Sequence, residues 1–298
     1  MFTIRNYFIV VLFILFPAVS FAGQPQCCNC TQQTVVGTYA VASEGTTMMT
    51  LPGMTEKMPV PVVSLAILTI DHNGAVSAAG YMAVGGEAQW ASQMPGMVTV
   101  NPDCTGEIAW KNGEGETIMI GELVIGKGGG KISSIMTQGG PLGEPTVTGR
   151  WKRISRIPNL QYLNICRPGC VFGTYVTGQS GVNMTETAGA VPTALLGRLS
   201  IHRDGSIEMT GTIVVAGNPT PFTLEDAVLE KGEVACTVRI TGSVIAEGTV
   251  YMGDIEGWYV VLDHGNELWG IGIELSGGYP VALGTMNRIS LWPKDFEQ

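Results

Sequence analysis

The chain reads as all-β: two tandem antiparallel β-barrel domains, with two-sheet sandwiches as the alternative. Three observations lead there. The 41 glycines and 16 prolines of the 298 residues cut the apolar residues into short runs rich in β-formers, the composition of strands joined by tight turns. No window sustains the 3.6-residue apolar period of an amphipathic helix. Landmarks from the first half recur in the same order in the second.

Taken in order, the first element is a leader. Arg5 supplies a positive start, Tyr7 to Val19 is an unbroken apolar run, and Ser20-Phe21-Ala22 is a small-x-small cleavage site. That layout predicts a secretory signal peptide over residues 1–22; the apolar run is shorter than the roughly 20 residues a spanning helix needs. No later run reaches spanning length, so the mature chain is expected to be secreted or periplasmic, without a membrane span. Residues 23–34 form a Cys-rich segment.

The first domain is expected over 35–155. Its strand candidates are Val35–Ala42, Val60–Ile70, Ala75–Val84, Met97–Asn101, Thr105–Lys111, Thr117–Ile125, Lys131–Thr137 and Thr146–Ser155. "DHNGA" here and "HRDGS" in the second half carry Asx-Gly pairs, which predict type I′ hairpins. "GKGGGK" reads as another turn. Met48, Met49, Met54, Met58, Met94 and Met97 crowd two stretches, "TTMMTLPGMTEKMP" and "QMPGM", that read as loops. So many short strands can remove their exposed edges by closing on themselves.

The second domain, 171–298, is a copy of the first, joined to it by a linker over 156–170. "VVGTYAV" from Val35 returns as "VFGTYVT" from Val171, and the Asx-Gly hairpin at Gly74 returns at Gly205. "DCTGEI" finds "ACTVRI", and "GRWKRIS" finds "GTMNRIS", with offsets of 136, 131, 132 and 135 residues. Each unit has the size of an independent domain, and two copies are too few for a solenoid or propeller.

Gly37-Thr38-Tyr39 and Gly173-Thr174-Tyr175 open the units, and Arg153 and Arg288 close them. This arrangement resembles calycin-type barrels, a group that includes lipocalins, and the short barrels of the allene-oxide-cyclase type. The resemblance implies a Gly-x-aromatic on the first strand covered by a basic side chain from the last, a contact worth roughly 0.5–2 kcal/mol. The aromatic is Tyr where lipocalins usually have Trp, and the helix that follows a lipocalin barrel has no counterpart between Ser155 and Val171.

Seven cysteines follow the leader, and Cys104, just after the "NPD" turn, could be a nucleophile, a metal ligand or one end of a staple. Export favours disulfides. Shifting Cys30 by 136 lands on Cys166, and shifting Cys104 by 132 lands on Cys236, so the expected bridges are Cys30–Cys104 and Cys166–Cys236, nominally about 4–5 kcal/mol each. Cys170 could replace Cys166, and Cys27 or Cys28 could replace Cys30. An odd count leaves a free thiol or an intermolecular bond. The histidines (His72, His202, His264) sit in turns, at positions that differ between the copies, and offer Cys104 no base.

The remaining chemistry is thin. "CCNC" lacks a second Cys/His cluster for a closed zinc site. The Met-rich stretches suit Cu(I), but Met is equally an adaptable apolar cover. "GELVIGKG" lacks the Ser/Thr and the helix of a phosphate loop and reads as a hairpin. No catalytic residue, metal or cofactor is therefore assigned. The net charge of −9 becomes −10 without Arg5, and 15 acidic against 6 basic residues follow Val171; such a chain repels nucleic acid. After Cys104, alternation sets Gly106, Ile108 and Trp110 on one apolar face, expected to point inward, whereas the sister position of Trp110 is Gly242, so the two interiors should differ. Tyr39, Ile108, Trp110 and Tyr175 are the candidate ligand contacts. The expected function is an exported, non-enzymatic binding module for a small apolar ligand or a protein partner. The alternatives are an isomerase or cyclase working inside a barrel, and a structural or adhesive surface protein.

Overall fold

The computed structural model describes residues 29–50, 55–139, 143–158, 168–185, 189–246, 252–275 and 279–290; the leader, Cys27, Cys28, Met54 and most of the linker lie outside them. Two closed barrels of eight strands fill this span. The first runs β1 (Gly37–Thr50), β2 (Lys57–Ile70), β3 (Ala75–Val84), β4 (Glu87–Val100), β5 (Thr105–Lys111), β6 (Thr117–Ile125), β7 (Lys131–Gln138) and β8 (Glu144–Ser155). The second runs β9 (Gly173–Thr185), β10 (Gly189–Ile201), β11 (Ser206–Val215), β12 (Asn218–Lys231), β13 (Thr237–Ala246), β14 (Met252–Leu262), β15 (Glu267–Leu275) and β16 (Tyr279–Ser290). Every neighbour is antiparallel, and the last strand of each set pairs with the first, so neither sheet is a sandwich. The only α-helix among the described residues is α1 (Gln32–Val35).

Most of the described residues in the stretches expected to be Met-rich loops lie in strands. Met48 and Met49 belong to β1, Met58 to β2, and Met94 and Met97 to β4. Their strand character was hidden because Gly, Pro and Met carry no β-signal of their own; the ladder to the neighbouring strands supplies it. The Asx-Gly turns also differ from type I′. Only Gly74 (φ 86°) and Gly205 (φ 89°) have positive φ, while Gly74 N–H bonds to Asp71 and Asp71 N–H to Ala75. This is a three-residue loop, a type I turn closed by a left-handed residue. Asp71 selects it, because its Oδ1 accepts the N–H groups of both Asn73 and Ala75, each at 2.8 Å.

"NPDCT" folds the same way, with a cysteine where glycine would stand. Cys104 has φ 68°, its N–H bonds to Asn101, and Asn101 N–H bonds to Thr105. From that turn Cys104 reaches Cys30, with Cα atoms 5.0 Å apart, in a disulfide that spans 74 residues. Cys236 has φ 61° and is disulfide-bonded too, to a partner outside the described residues. Cys170 is a free thiol, and burial pushes its pKa up.

One end of each barrel is plugged. Tyr39 is fully buried; its hydroxyl lies 2.9 Å from Val35 O and 3.0 Å from Gly129 O, and accepts from Arg153 Nε at 3.0 Å and Nη2 at 2.6 Å. The guanidinium also holds the carbonyls of Gly128 and Thr34 and sits 5.2 Å from the Tyr39 ring centre. Tyr175 repeats this with Val171 O, Gly265 O and Arg288, whose guanidinium lies 5.4 Å from the ring. Gly37 must be glycine: a Cβ there would stand 2.3 Å from Ser155 O.

The barrels touch through unlike faces. Outward residues of the first (Ala40, Val63, Leu65, Ile67) and of the second (Trp258, Val260, Trp269, Ile271) share one buried cluster. Tyr81 and Trp90 pack around Trp258, with ring centres 5.6 and 5.7 Å away. Lys152 pairs across the junction with Asp263 at 2.6 Å and with Glu267, and Arg150 lies 4.9 Å over the Trp269 ring. The interiors remain two separate cores, one around Tyr39 and one around Tyr175.

Candidate functional site

Eight strands close a lumen that side chains fill, or nearly fill, leaving room for at most one small ligand. Alternation decides which residues enter it. In the first barrel these include Ser43 and Val41 from β1, Leu68 and Ser64 from β2, Ile108 and Trp110 from β5, and Trp151 from β8. They line a cavity of about 110 Å³. Met82, Met94, Met119 and Met136 line it as well. Three of them stand two residues from the strand ends opposite the plug, at the ends of β3 and β7 and the start of β6.

The predicted site residues divide between cavity and floor. Ile108 and Trp110 line the cavity, with Trp110 lying over its cross-strand partner Gly96, where a Cβ would meet the indole at 3.2 Å. Tyr39 sits deeper. Trp151, which lines the cavity, packs edge-on against Tyr39 at 6.1 Å and donates its indole N–H to Ser134 Oγ at 3.1 Å. Tyr175 has the corresponding place beneath the second lumen and, like Tyr39, has no exposed surface. Burial raises the pKa of both phenols, against the pull of the neighbouring arginines. The inward methionines of β3, β6 and β7 escaped sequence reading because alternation becomes informative only once the register is known.

The second lumen holds a cavity of about 90 Å³ with a different lining. Leu195, Met209, Ile213, Phe222 and Val244 make it largely apolar, and Gln179, Thr193, Tyr259 and the Arg239-paired Glu256 add polar groups. The difference foreseen from Trp110 against Gly242 is therefore present in the linings, although the aromatics of the second lumen, Phe222 and Tyr259, come from β12 and β14 rather than β13.

The electrostatics are those of a sheltered, neutral interior. In the first cavity the polar lining is hydroxyls (Ser43, Ser64, Ser134, Thr148), and the one ionisable group among the described lining residues is Tyr81, whose pKa burial and Glu233 push up to about 12. No group of three or more His, Cys, Asp or Glu among the described residues could hold a metal. Charge sits outside, on exposed Glu107, Glu122 and Lys131 of the first barrel and Glu208, Glu225 and Glu230 of the second. That is the reverse of a membrane barrel, whose outer band is apolar and whose interior is polar. No helix of the described residues is long and apolar enough to cross a membrane.

No protein-family model matches the chain, and no curated protein matches it by sequence. Among solved structures it is similar to a protein described as an AttH from Nitrosomonas europaea, at 12% identity over 89% of this chain and 96% of the other, with a TM-score of 0.25. It is also similar to transferrin binding protein B of Haemophilus parasuis (8% identity, 84% and 75% covered, TM-score 0.23). A third is a DUF3598-family protein of unknown function from Nostoc punctiforme (8% identity, 87% and 99% covered, TM-score 0.18). At TM-scores this low the similarities carry no argument about function.

Proposed function

We propose that this protein is an exported, non-enzymatic binding module whose first barrel holds a small apolar ligand. In this reading residues 1–22 direct export, 23–34 form a Cys-rich lead-in, and the domains 35–155 and 171–298 are joined by the linker 156–170. Ile108 and Trp110 contact the ligand, while Tyr39, and Tyr175 in the second barrel, serve as floors. The observation that carries it is the first cavity, about 110 Å³ and walled by indoles, aliphatic side chains and four methionines. Apolar cavities exclude water and take apolar guests; about 150 Å³ is enough for benzene. Methionine side chains can rearrange to admit a somewhat larger guest, and they stand at the unplugged rim. A lining of hydroxyls and thioethers without an acid–base pair suits holding a molecule rather than transforming it.

The Cys30–Cys104 disulfide supports an oxidising compartment. Cys236 is bonded and Cys170 is free, which leaves Cys27, Cys28 or Cys166 as its partner, and the duplication selects Cys166. Native mass spectrometry of protein purified from its own host checks the proposal. The expected result is a retained small molecule, released on denaturation and reduced in occupancy by Trp110→Ala. Ligand-free protein, or occupancy indifferent to Trp110→Ala, would refute it. The same sample digested without reductant should yield a Cys166–Cys236 peptide.

A further inference from the structure

Two of the deepest tyrosines have every hydrogen-bonding capacity of the hydroxyl engaged, and a third has none. Tyr39 and Tyr175 each face two carbonyls and an arginine. Tyr259, inside the second barrel, has no hydrogen-bond partner among the described residues. It is enclosed by protein on all sides, yet part of its surface stays open, and that surface faces the 90 Å³ cavity. With no protein partner among the described residues, the hydroxyl is left to pair with whatever occupies the cavity that Tyr259 lines.

The wall beneath Tyr259 is cut to hold it. Its cross-strand partner is Gly270, where a Cβ would stand 2.2 Å from the ring, and at Gly257 a Cβ would stand 2.8 Å from the hydroxyl. The ring therefore lies across two glycines on adjacent strands, an aromatic covering its glycine partner. Burial pushes the phenol pKa up to about 12, so the group is a neutral O–H donor at any physiological pH. Gln179, from β9, lines the same cavity and likewise has no hydrogen-bond partner among the described residues. Thr193 and Glu256 line it too, but Thr193 Oγ1 donates to Val191 O at 3.2 Å and Glu256 is ion-paired with Arg239, and the rest of the lining is apolar. A largely apolar pocket with a few placed polar groups, two of them here without a partner among the described residues, is the usual form of a small-molecule site.

We propose that the second barrel is a separate binding site for a small molecule with an apolar body and one carbonyl-type oxygen, which accepts a hydrogen bond from the Tyr259 hydroxyl and from the Gln179 amide. This site differs in chemistry from the thioether- and indole-lined cavity of the first barrel and does not depend on it. A ligand lacking the acceptor would leave both polar groups unpaired, and that is the basis of selectivity.

The test uses the full chain with its methionine methyl groups labelled with ¹³C. Met209 lines the second cavity and Met119 the first, so the two resonances tell the sites apart. Cyclohexanone is titrated against methylenecyclohexane, which has nearly the same shape without the oxygen. The expected result is a saturable shift of Met209 with cyclohexanone and binding of methylenecyclohexane weaker by roughly fivefold or more, the value of about one hydrogen bond. Tyr259→Phe should weaken cyclohexanone by a similar factor and leave methylenecyclohexane unchanged. Gln179→Leu, on a different strand, supplies the same comparison should Tyr259→Phe fold poorly. A cyclohexanone response confined to Met119, no response at all, or variants that treat both probes alike would each overturn the proposal.

Discussion

Cys104 does two jobs with one residue. Its left-handed backbone closes the hairpin between β4 and β5, a task that falls to Gly74, Gly115 and Gly205 in comparable turns, and its sulfur ties the N-terminal segment to that hairpin. The left-handed conformation costs a residue with a Cβ roughly 1–2 kcal/mol, which the cross-link more than offsets. Replacing the pair as Cys30→Ala/Cys104→Ala should lower stability to urea by about 4 kcal/mol on the chain-entropy model. Cys30→Ala/Cys104→Gly should recover about 1 kcal/mol of that, because glycine adopts the turn freely. Equal stability of the two double variants would show that the turn conformation carries no cost. The partnership of Cys30 with Cys104 was legible from the duplication, since each has a sister at a matching offset. The backbone conformation was not, because nothing in "NPDC" marks a cysteine as the residue standing in glycine's place.

Among the elements, β2 shows what tertiary context adds. "KMPVPVVSLAILTI" lacks the alternation of a half-exposed strand, and the reason is that both of its faces are buried. Leu68 points into the lumen core and Leu65 into the junction with the second barrel. The sister strand β10 has only one buried face: Leu196, the counterpart of Leu65 at the 131-residue offset, is 65% exposed, whereas Leu65 is 0% exposed. Leu65→Ala should therefore cost about 2–5 kcal/mol, and Leu196→Ala should stay within about 0.5 kcal/mol of the parent. Urea denaturation of the two single variants decides it, and similar losses for both would remove the junction as the explanation. The strand pattern itself was readable for β3, β5 and β6. For β1 and β4 it was readable only in part, because the polar and Gly-Pro-Met halves of those strands owe their extended form to the closed ladder.

At the scale of the whole molecule, duplication has not produced a symmetric pair. The first barrel uses the faces of β1–β3 and the second those of β14–β16, so the contact is of the heterologous kind. Trp258, fully buried between Tyr81 and Trp90, is its centre, and the Lys152 ion pairs lie beside it. The shared cluster should make the two barrels unfold in one cooperative step. Trp258→Ala should cost about 3–5 kcal/mol and split the calorimetric transition in two, since each barrel keeps its own core. A single transition surviving in Trp258→Ala would place the coupling elsewhere. The Lys152 pairs are partly open to water and should contribute little by comparison.

By itself the sequence determined the β class, the twofold repeat and the position of one disulfide, which follow from local composition, turn chemistry and the comparison of the chain with itself. The tyrosine–arginine pairing at each barrel base was implied only by the resemblance to calycin-type barrels. Only the tertiary structure decided for closed barrels against the sandwich alternative, that the methionines of β3, β6 and β7 ring one lumen while Tyr259 has no partner among the described residues in the other, and that unlike faces meet at Trp258. Each of those depends on register and on which surfaces come together across long sequence separations. Alternation says that a side chain leaves one face of a strand, and closure alone says whether that face meets solvent, a cavity or a neighbouring barrel.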